Sequence, residues 1–185
     1  IDTVKKLRKI TNMEFDVHIM SMNNELFINE MLDIGAESIT FHYESSFHTD
    51  RLINLVKRSG AKVGVALNPA TSLSVLDYIL PQCDSILLML INPGFATDKG
   101  EKQVSYADKK VKDLSELIRK NNLDVKIQVD GRVSLETIPK LVSAGADSLV
   151  VGSTSLFIPG NTISENKKLL DISITEGLKG GNFNG

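Results

Sequence analysis

The chain has 185 residues, 42% of them apolar, with 21 basic and 23 acidic side chains and a net charge of −2. That length suits one sizeable core and is short for two. The balanced charge excludes the broad positive field of a nucleic-acid or membrane surface, and a lone cysteine, Cys83, excludes an internal disulfide framework.

The first residues, Asp2 to Lys9, read as a charged helix, not a signal peptide. No apolar stretch reaches the roughly 18 residues of a membrane span, and the lone cysteine, read as a buried inert thiol, leads to the expectation of a cytoplasmic protein. The chain opens on Ile1 instead of Met, which fits processing and equally a start part-way through a longer polypeptide.

From there, short runs rich in Val and Ile alternate with helical patterns to the end of the chain, the rhythm of parallel βαβ units. Strands are predicted over 14–20, 38–43, 62–67, 85–91, 125–130 and 147–151. The helices between them are predicted over 25–34, 50–59, 72–80, 106–120 and 135–144, with a last one over 164–178. Gly35, Gly60 and Gly145 each close a helical pattern just ahead of a strand, as C-terminal caps do.

Most strand starts lie 22 to 24 residues apart, and the one long gap, from Ser85 to Val125, holds the loop Asn92 to Val104. Six units suit a doubly wound sheet, or a (β/α)₈ barrel short of two units, about 50 residues at this period. No Gly-x-Gly-x-x-Gly follows the first strand, which disfavours a dinucleotide-binding sheet. The expected fold class is therefore α/β, a TIM (β/α)₈ barrel with about six βα units forming a single domain over 1–185.

Chemistry-bearing residues fall where the predicted strands end. Asp130 closes the apolar run Val125 to Val129 and is followed at once by Gly131, an awkward place for a charge unless it serves a site or caps the next helix. Asp16, His18 and Met20 share one face of the first strand, so His18 is either a metal-binding imidazole or a hydrogen-bonded core residue. Thr40, His42 and Glu44 share a face of the second strand, with His42 a weaker candidate, and His48 sits in a loop. The segment Asn92-Pro-Gly-Phe-Ala-Thr97 reads as an active-site lid. Gly152-Ser153, after the last strand, reads as an anion cradle with a helix dipole behind it.

In their order along the chain these motifs resemble the ribulose-phosphate 3-epimerases and the similar allulose-6-phosphate 3-epimerases. The resemblance is carried by Asp16-Val-His-Ile-Met20, Gly35-Ala36 leading to Ile39-Thr-Phe-His-Tyr-Glu44, Gly64-Val-Ala-Leu-Asn-Pro69, Met89-Leu-Ile-Asn-Pro-Gly-Phe95, Val129-Asp-Gly131, and Gly145-Ala-Asp147 running to Val151-Gly-Ser153. It implies a divalent metal, zinc first and iron, manganese or cobalt as alternatives, held by two His and two Asp. His18 and Asp130 map onto two of those ligands, and Asp130 also onto a proton carrier.

The resemblance further implies that Met20 and Met89 line the flat intermediate and that Gly94, Phe95, Ala96 and Thr97 form the lid. It assigns phosphate binding to Gly131, Arg132, Gly152 and Ser153. The expected reaction is epimerisation at C3 of a ketose phosphate, D-ribulose 5-phosphate to D-xylulose 5-phosphate in type. Two acids on opposite faces would pass protons through an enediolate, with a metal on the C2 and C3 oxygens.

The family's His-x-Asp-x-Met-Asp-Gly strand and a substrate-binding Ser on the first strand have no counterpart here, so the 185-residue chain alone is expected to be inactive. Ala96-Thr97-Asp98 replaces the usual Gly-Gly-Gln, and Arg132 replaces a glycine while offering a cation in compensation. These departures keep two alternatives in view, an allulose-6-phosphate 3-epimerase and a non-catalytic sugar-phosphate-binding relative. A decarboxylase of the orotidine-phosphate type, which asks for an Asp-x-Lys-x-x-Asp array, is set aside on the expectation that the array is absent. The expected partner is a small-molecule sugar phosphate, without nucleic acid or membrane, and homo-oligomerisation is left open.

Overall fold

The computed structural model describes residues 1–94 and 100–181. Strands β1 (Asp16–Ile19), β2 (Ser38–His42), β3 (Lys62–Leu67), β4 (Ser85–Met89), β5 (Lys126–Asp130) and β6 (Ser148–Leu149) are ordered as they occur in the chain. They alternate with helices α2 (Asn24–Ile34), α3 (Thr49–Arg58), α4 (Ala107–Lys120) and α5 (Ile138–Ser143), with α1 (Asp2–Arg8) before and α6 (Ile163–Gly180) after them. β1 pairs with β2, β2 with β3 and β5 with β6, all in parallel. Sequential parallel strands joined through helices define the (β/α)₈ fold class, of which six units are present here. Among the described residues no helix is long and apolar enough to cross a membrane.

Two predicted helices come out differently. Residues 72–80 form 3₁₀ turns, Leu73–Leu76 and Leu80–Gln82, in place of an α-helix. Pro81 has no N–H to give, and Ser72, Ser74 and Val75 are weak helix formers, so an α-helical nucleus does not propagate. The helix over 135–144 shortens to Ile138–Ser143 because Ser134 and Thr137 close a turn of their own. The Thr137 N–H donates to Ser134 O at 3.0 Å, and the Ser134 N–H donates to Thr137 Oγ1 at 3.1 Å.

The chain divides into two compact units, Ile1–Leu67 with Ser74–Leu87, and Asn68–Leu73 with Leu88–Gly185. In the first, Ile28 and Met31 of α2 and Leu52, Ile53 and Val56 of α3 are buried, as is β3 from Val63 to Leu67. His18, Thr40 and Gly64 stand level across β1, β2 and β3. A Cβ on Gly64 would collide with the Thr40 side chain and lie 2.7 Å from Ser85 Oγ, so this row has room only for hydrogen at that position. In the second unit, α4 buries Val111, Leu114 and Ile118, and α5 buries Ile138, Leu141 and Val142. A Cβ on Gly177 of α6 would lie 2.7 Å from Val142 Cβ, so α5 and α6 pack closely there.

One device recurs at the strand starts. An acid just ahead of each even-numbered strand accepts the N–H at the start of the odd-numbered strand before it. Glu37 Oε2 takes the Phe15 N–H at 2.7 Å, Asp84 Oδ2 takes Val63 at 2.8 Å, and Asp147 Oδ2 takes Ile127 at 2.8 Å. In return the Asp84 N–H donates to Val63 O and the Asp147 N–H to Ile127 O, each at 2.9 Å. The Phe15 N–H holds the Glu37 carboxyl below the usual carboxylate range, and the Arg8 guanidinium at 2.7 Å adds to the effect. Each of these acids is followed by serine, at Glu37-Ser38, Asp84-Ser85 and Asp147-Ser148.

Asp147→Ala is expected to cost about 1–3 kcal/mol by stranding the Ile127 N–H. Asp147→Asn, which keeps an accepting oxygen, should cost distinctly less, and urea denaturation of both variants checks the difference. Cys83 is buried and donates its thiol to Ile79 O at 3.3 Å. Burial, helped by the Asp84 charge, pushes the thiol up to about 12 from an ordinary 9.0. The native thiol should therefore resist alkylation at pH 8 and react once the chain is unfolded. An unfolded chain ionises this thiol first, so the contribution is complete below about 9 and is lost as pH rises toward about 12. Denaturation midpoints across that range check the sign.

Candidate functional site

In the second unit the ends of β5 and β6 border an open cavity of about 280 Å³ lined by Asp130, Gly131, Arg132, Gly152, Ser153 and Thr154, among others. That is close to the lower bound of small-ligand pockets, about 300 Å³. Five of the residues expected at the site are thus brought together. The capping alternative for Asp130 does not hold: α5 begins at Ile138, its N-cap is Thr137, and no side chain caps it. Asp130 also fixes the neighbouring strand end, its carbonyl accepting the Leu90 N–H at 2.7 Å.

The turn after Asp130 is left-handed at two successive residues, with φ +115° at Gly131 and +50° at Arg132. Gly131 is obligatory on two counts. Its φ suits glycine, and a Cβ would lie 2.8 Å from Ile91 Cγ1 and 3.0 Å from Ile91 N. Arg132 adopts this conformation despite its side chain, at a cost on the order of 1–2 kcal/mol for a residue with a Cβ. Three successive carbonyls of the turn are held by side chains. Gln103 Nε2 donates to Gly131 O at 3.0 Å and to Arg132 O at 3.1 Å, and Thr154 Oγ1 donates to Val133 O at 2.7 Å.

The cradle after β6 differs from expectation. The Gly152 N–H donates to Ser155 Oγ at 3.2 Å, and Gly152 O accepts the N–H groups of Ser155, Leu156 and Phe157. The next helix begins only at Ile163, behind a capping box between Thr162 and Glu165, so no α-helix dipole stands directly behind Gly152 and Ser153. The buried Ser155 hydroxyl closes the local turn, and Pro159-Gly160 separates it from α6.

In the first unit His18 stacks on His42, with ring centroids 5.0 Å apart and an interplanar angle of 23°. Their Nε2 atoms are 2.9 Å apart, and His42 Nδ1 lies 3.2 Å from Glu44 Oε2. With His42 neutral and its Nδ1–H given to Glu44, His42 Nε2 must accept. His18 then donates from Nε2 and carries its lone pair on Nδ1.

A neutral imidazole suits a borderline divalent cation. The described residues nevertheless contain no group of three or more His, Cys, Asp and Glu side chains able to hold a metal. The described residues by themselves therefore do not make up a metal shell. Met20, just past β1, is 62% exposed, whereas Met89, at the end of β4, is buried. Gly94 has φ +95°, and Phe95, Ala96 and Thr97 lie outside the described residues.

The spacing Asp-x-Lys-x-x-Asp, expected to be absent, does occur at Asp108, Lys110 and Asp113. It lies on α4, where Asp113 pairs with Lys109 at 2.6 Å and Lys110 donates to the carbonyls of Asn68, Pro69 and Thr71 at 2.7–2.9 Å. That lysine ties down a loop backbone. Gln103 and Thr154 were not singled out from sequence. The available signal was slight: Gln103 is the uncharged polar residue closing the charged stretch that begins at Asp98.

A strand-end acid beside a left-handed, cation-bearing turn, on sequential parallel strands, stands where (β/α)₈ proteins carry their sites. The chain belongs to the ribulose-phosphate 3 epimerase family, whose family model matches residues 1–157. It is 42% identical over 153 residues to a ribulose-phosphate 3-epimerase of Methanocaldococcus jannaschii, covering 83% of this chain and 63% of that protein. To the Escherichia coli K12 ribulose-phosphate 3-epimerase it is 37% identical over 156 residues, covering 84% and 66%. The chain thus spans just under two thirds of the length of these relatives.

Among solved structures it is similar to 3-hexulose-6-phosphate synthase from Salmonella typhimurium, with TM-score 0.68 and 19% identity over 95% of this chain and 80% of that one. It is also similar to orotidine 5'-phosphate decarboxylase from Pyrococcus horikoshii, with TM-score 0.60 and 14% identity over 94% and 80%. At these identities the structures speak for the fold alone.

Gly131→Ala tests the turn. It is expected to lower stability by about 1–3 kcal/mol, through a crowded Cβ and a backbone angle alanine resists, and thermal unfolding beside the wild type measures it.

Proposed function

We propose that the polypeptide to which this chain belongs is a metal-dependent ketose-phosphate 3-epimerase, acting on D-ribulose 5-phosphate to give D-xylulose 5-phosphate. The observation that carries the reading is Asp130 at the end of β5, sharing one cavity with Arg132 and Ser153, in a chain of the ribulose-phosphate 3 epimerase family.

In this reading the phosphate rests against the turn of Gly131 and Arg132, with Gly152 and Ser153 opposite, and the Arg132 guanidinium answers its charge. Asp130 exchanges the C3 proton on one face of the ketose, and an acid from elsewhere in the polypeptide serves the other face. Gly94, Phe95, Ala96 and Thr97 close over the site, and Met20 and Met89 border the planar intermediate. The metal, zinc foremost, belongs to the whole polypeptide, with His18 and Asp130 as the ligands this chain contributes. A metal held there would supply charge neutralisation at the substrate oxygens.

A hexulose phosphate, as in allulose-6-phosphate 3-epimerases, is the second reading, favoured by Arg132, which occupies a turn that would otherwise hold glycine. In the complete polypeptide, Asp130→Asn is expected to lower kcat for epimerisation by on the order of 10²–10⁴-fold while KM changes little. Wild-type turnover in that variant would remove Asp130 from the chemistry. Comparing kcat/KM for ribulose 5-phosphate and allulose 6-phosphate on the wild type decides the substrate.

A further inference from the structure

We propose that Gln103 is a positioning residue for the phosphate-binding turn, setting the direction of the Arg132 and Val133 N–H groups from outside the cavity. The inference rests on the reading above for its ligand and on the hydrogen bonds of the turn for its geometry. Gln103 is absent from the cavity lining, whereas Gly131, Arg132 and Val133 all line it.

Its single carboxamide nitrogen lies 3.0 Å from Gly131 O, 3.1 Å from Arg132 O and 3.4 Å from Thr137 Oγ1. Two hydrogens therefore serve three acceptors, two of them carbonyls of successive residues. A peptide unit is planar and trans, so its N–H points opposite to its C=O. Fixing Gly131 O directs the Arg132 N–H, and fixing Arg132 O directs the Val133 N–H, both away from Gln103. Two adjacent donors aimed one way form the kind of concave cradle that takes a tetrahedral anion.

The conformation needs such support. Arg132 sits at φ +50°, which an L residue rarely adopts unaided. Thr154 Oγ1 holds the next carbonyl, Val133 O, at 2.7 Å, and the Ser134 N–H is taken by Thr137 Oγ1 at 3.1 Å, so the peptide unit that follows the two donors is held at both of its polar atoms. Gln103 is itself anchored to a neighbouring strand end, since the Val104 N–H donates to Leu90 O at 2.9 Å and the Leu90 N–H donates to Asp130 O at 2.7 Å. A residue 28 positions before Gly131 in the chain thereby sets the anion-binding geometry of the β5 turn.

The test uses the complete polypeptide with two variants. Gln103→Met keeps the size without polar atoms, and Gln103→Glu keeps the reach without N–H donors. Amide hydrogen exchange at Arg132 and Val133 is followed by NMR, together with titration of inorganic phosphate. Both variants are expected to exchange those two amides about tenfold faster and to bind phosphate about tenfold more weakly, the equivalent of one lost hydrogen bond. Exchange in β5 and α4 should stay as in the wild type. Wild-type exchange at Arg132 and Val133 in either variant overturns the inference, and so does an equal acceleration throughout β5 and α4, which would make Gln103 a general packing residue. A wild type that binds no phosphate overturns the ligand reading instead, and the exchange data then still decide whether Gln103 sets the turn.

Discussion

Backbone N–H groups at the start of a strand need acceptors, and here carboxylates one strand further along supply them. Glu37, Asp84 and Asp147 each reach back to the strand before, joining β1 to β2, β3 to β4 and β5 to β6 near their starting ends. A parallel pair has evenly slanted hydrogen bonds and no tight hairpin to set its register, so a side-chain clamp at its start fixes register where the ladder begins. Register then decides what emerges at the far end. The same alignment that pairs Ile127 with Asp147 delivers Asp130 and the residues after β6 to one cavity. The placing of the strand ends thus depends on charge placed at the strand starts.

At the far end of β5 the chemistry is assembled by constraint more than by residue type. Asp130 alone would be a solvated carboxylate. What distinguishes it is the turn behind it, where glycine is demanded by Ile91 and arginine is held left-handed by borrowed hydrogen bonds. That cost is sustained because Gln103 and Thr154 satisfy carbonyls that a free loop would leave to water. In the first unit Glu44, His42 and His18 stand in one hydrogen-bonded row, which orients the His18 ring through its neighbour.

Much of this was legible in the sequence. Alternation of Val-rich runs with helical spacing gave all six strands, because buried parallel strands and their covering helices leave strong periodic signals. Asp130 stood out because a charge after Val129 conflicts with an apolar run. Other features were hidden for physical reasons. Residues 72–80 carry apolar spacing yet lack the propensity to propagate an α-helix, and the pattern does not record propensity. Gly152 looked like a donor, but its N–H goes to the Ser155 hydroxyl, a choice that only the folded turn reveals. Gln103 could not be read from sequence because its partners are carbonyls 28 and 29 residues away, and a carbonyl has no residue identity. The acid-serine repeat was visible in principle, but its meaning comes from the strand pairing.

The central claim is proton chemistry at C3 of a ketose phosphate, and solvent isotope wash-in measures it without a coupled assay. The complete wild-type polypeptide, incubated with ribulose 5-phosphate in D₂O and followed by ¹H NMR, should lose the C3 proton signal as deuterium enters and xylulose 5-phosphate accumulates. Binding of the sugar phosphate with the C3 proton retained would contradict the account and leave the molecule a sugar-phosphate-binding relative of the epimerases.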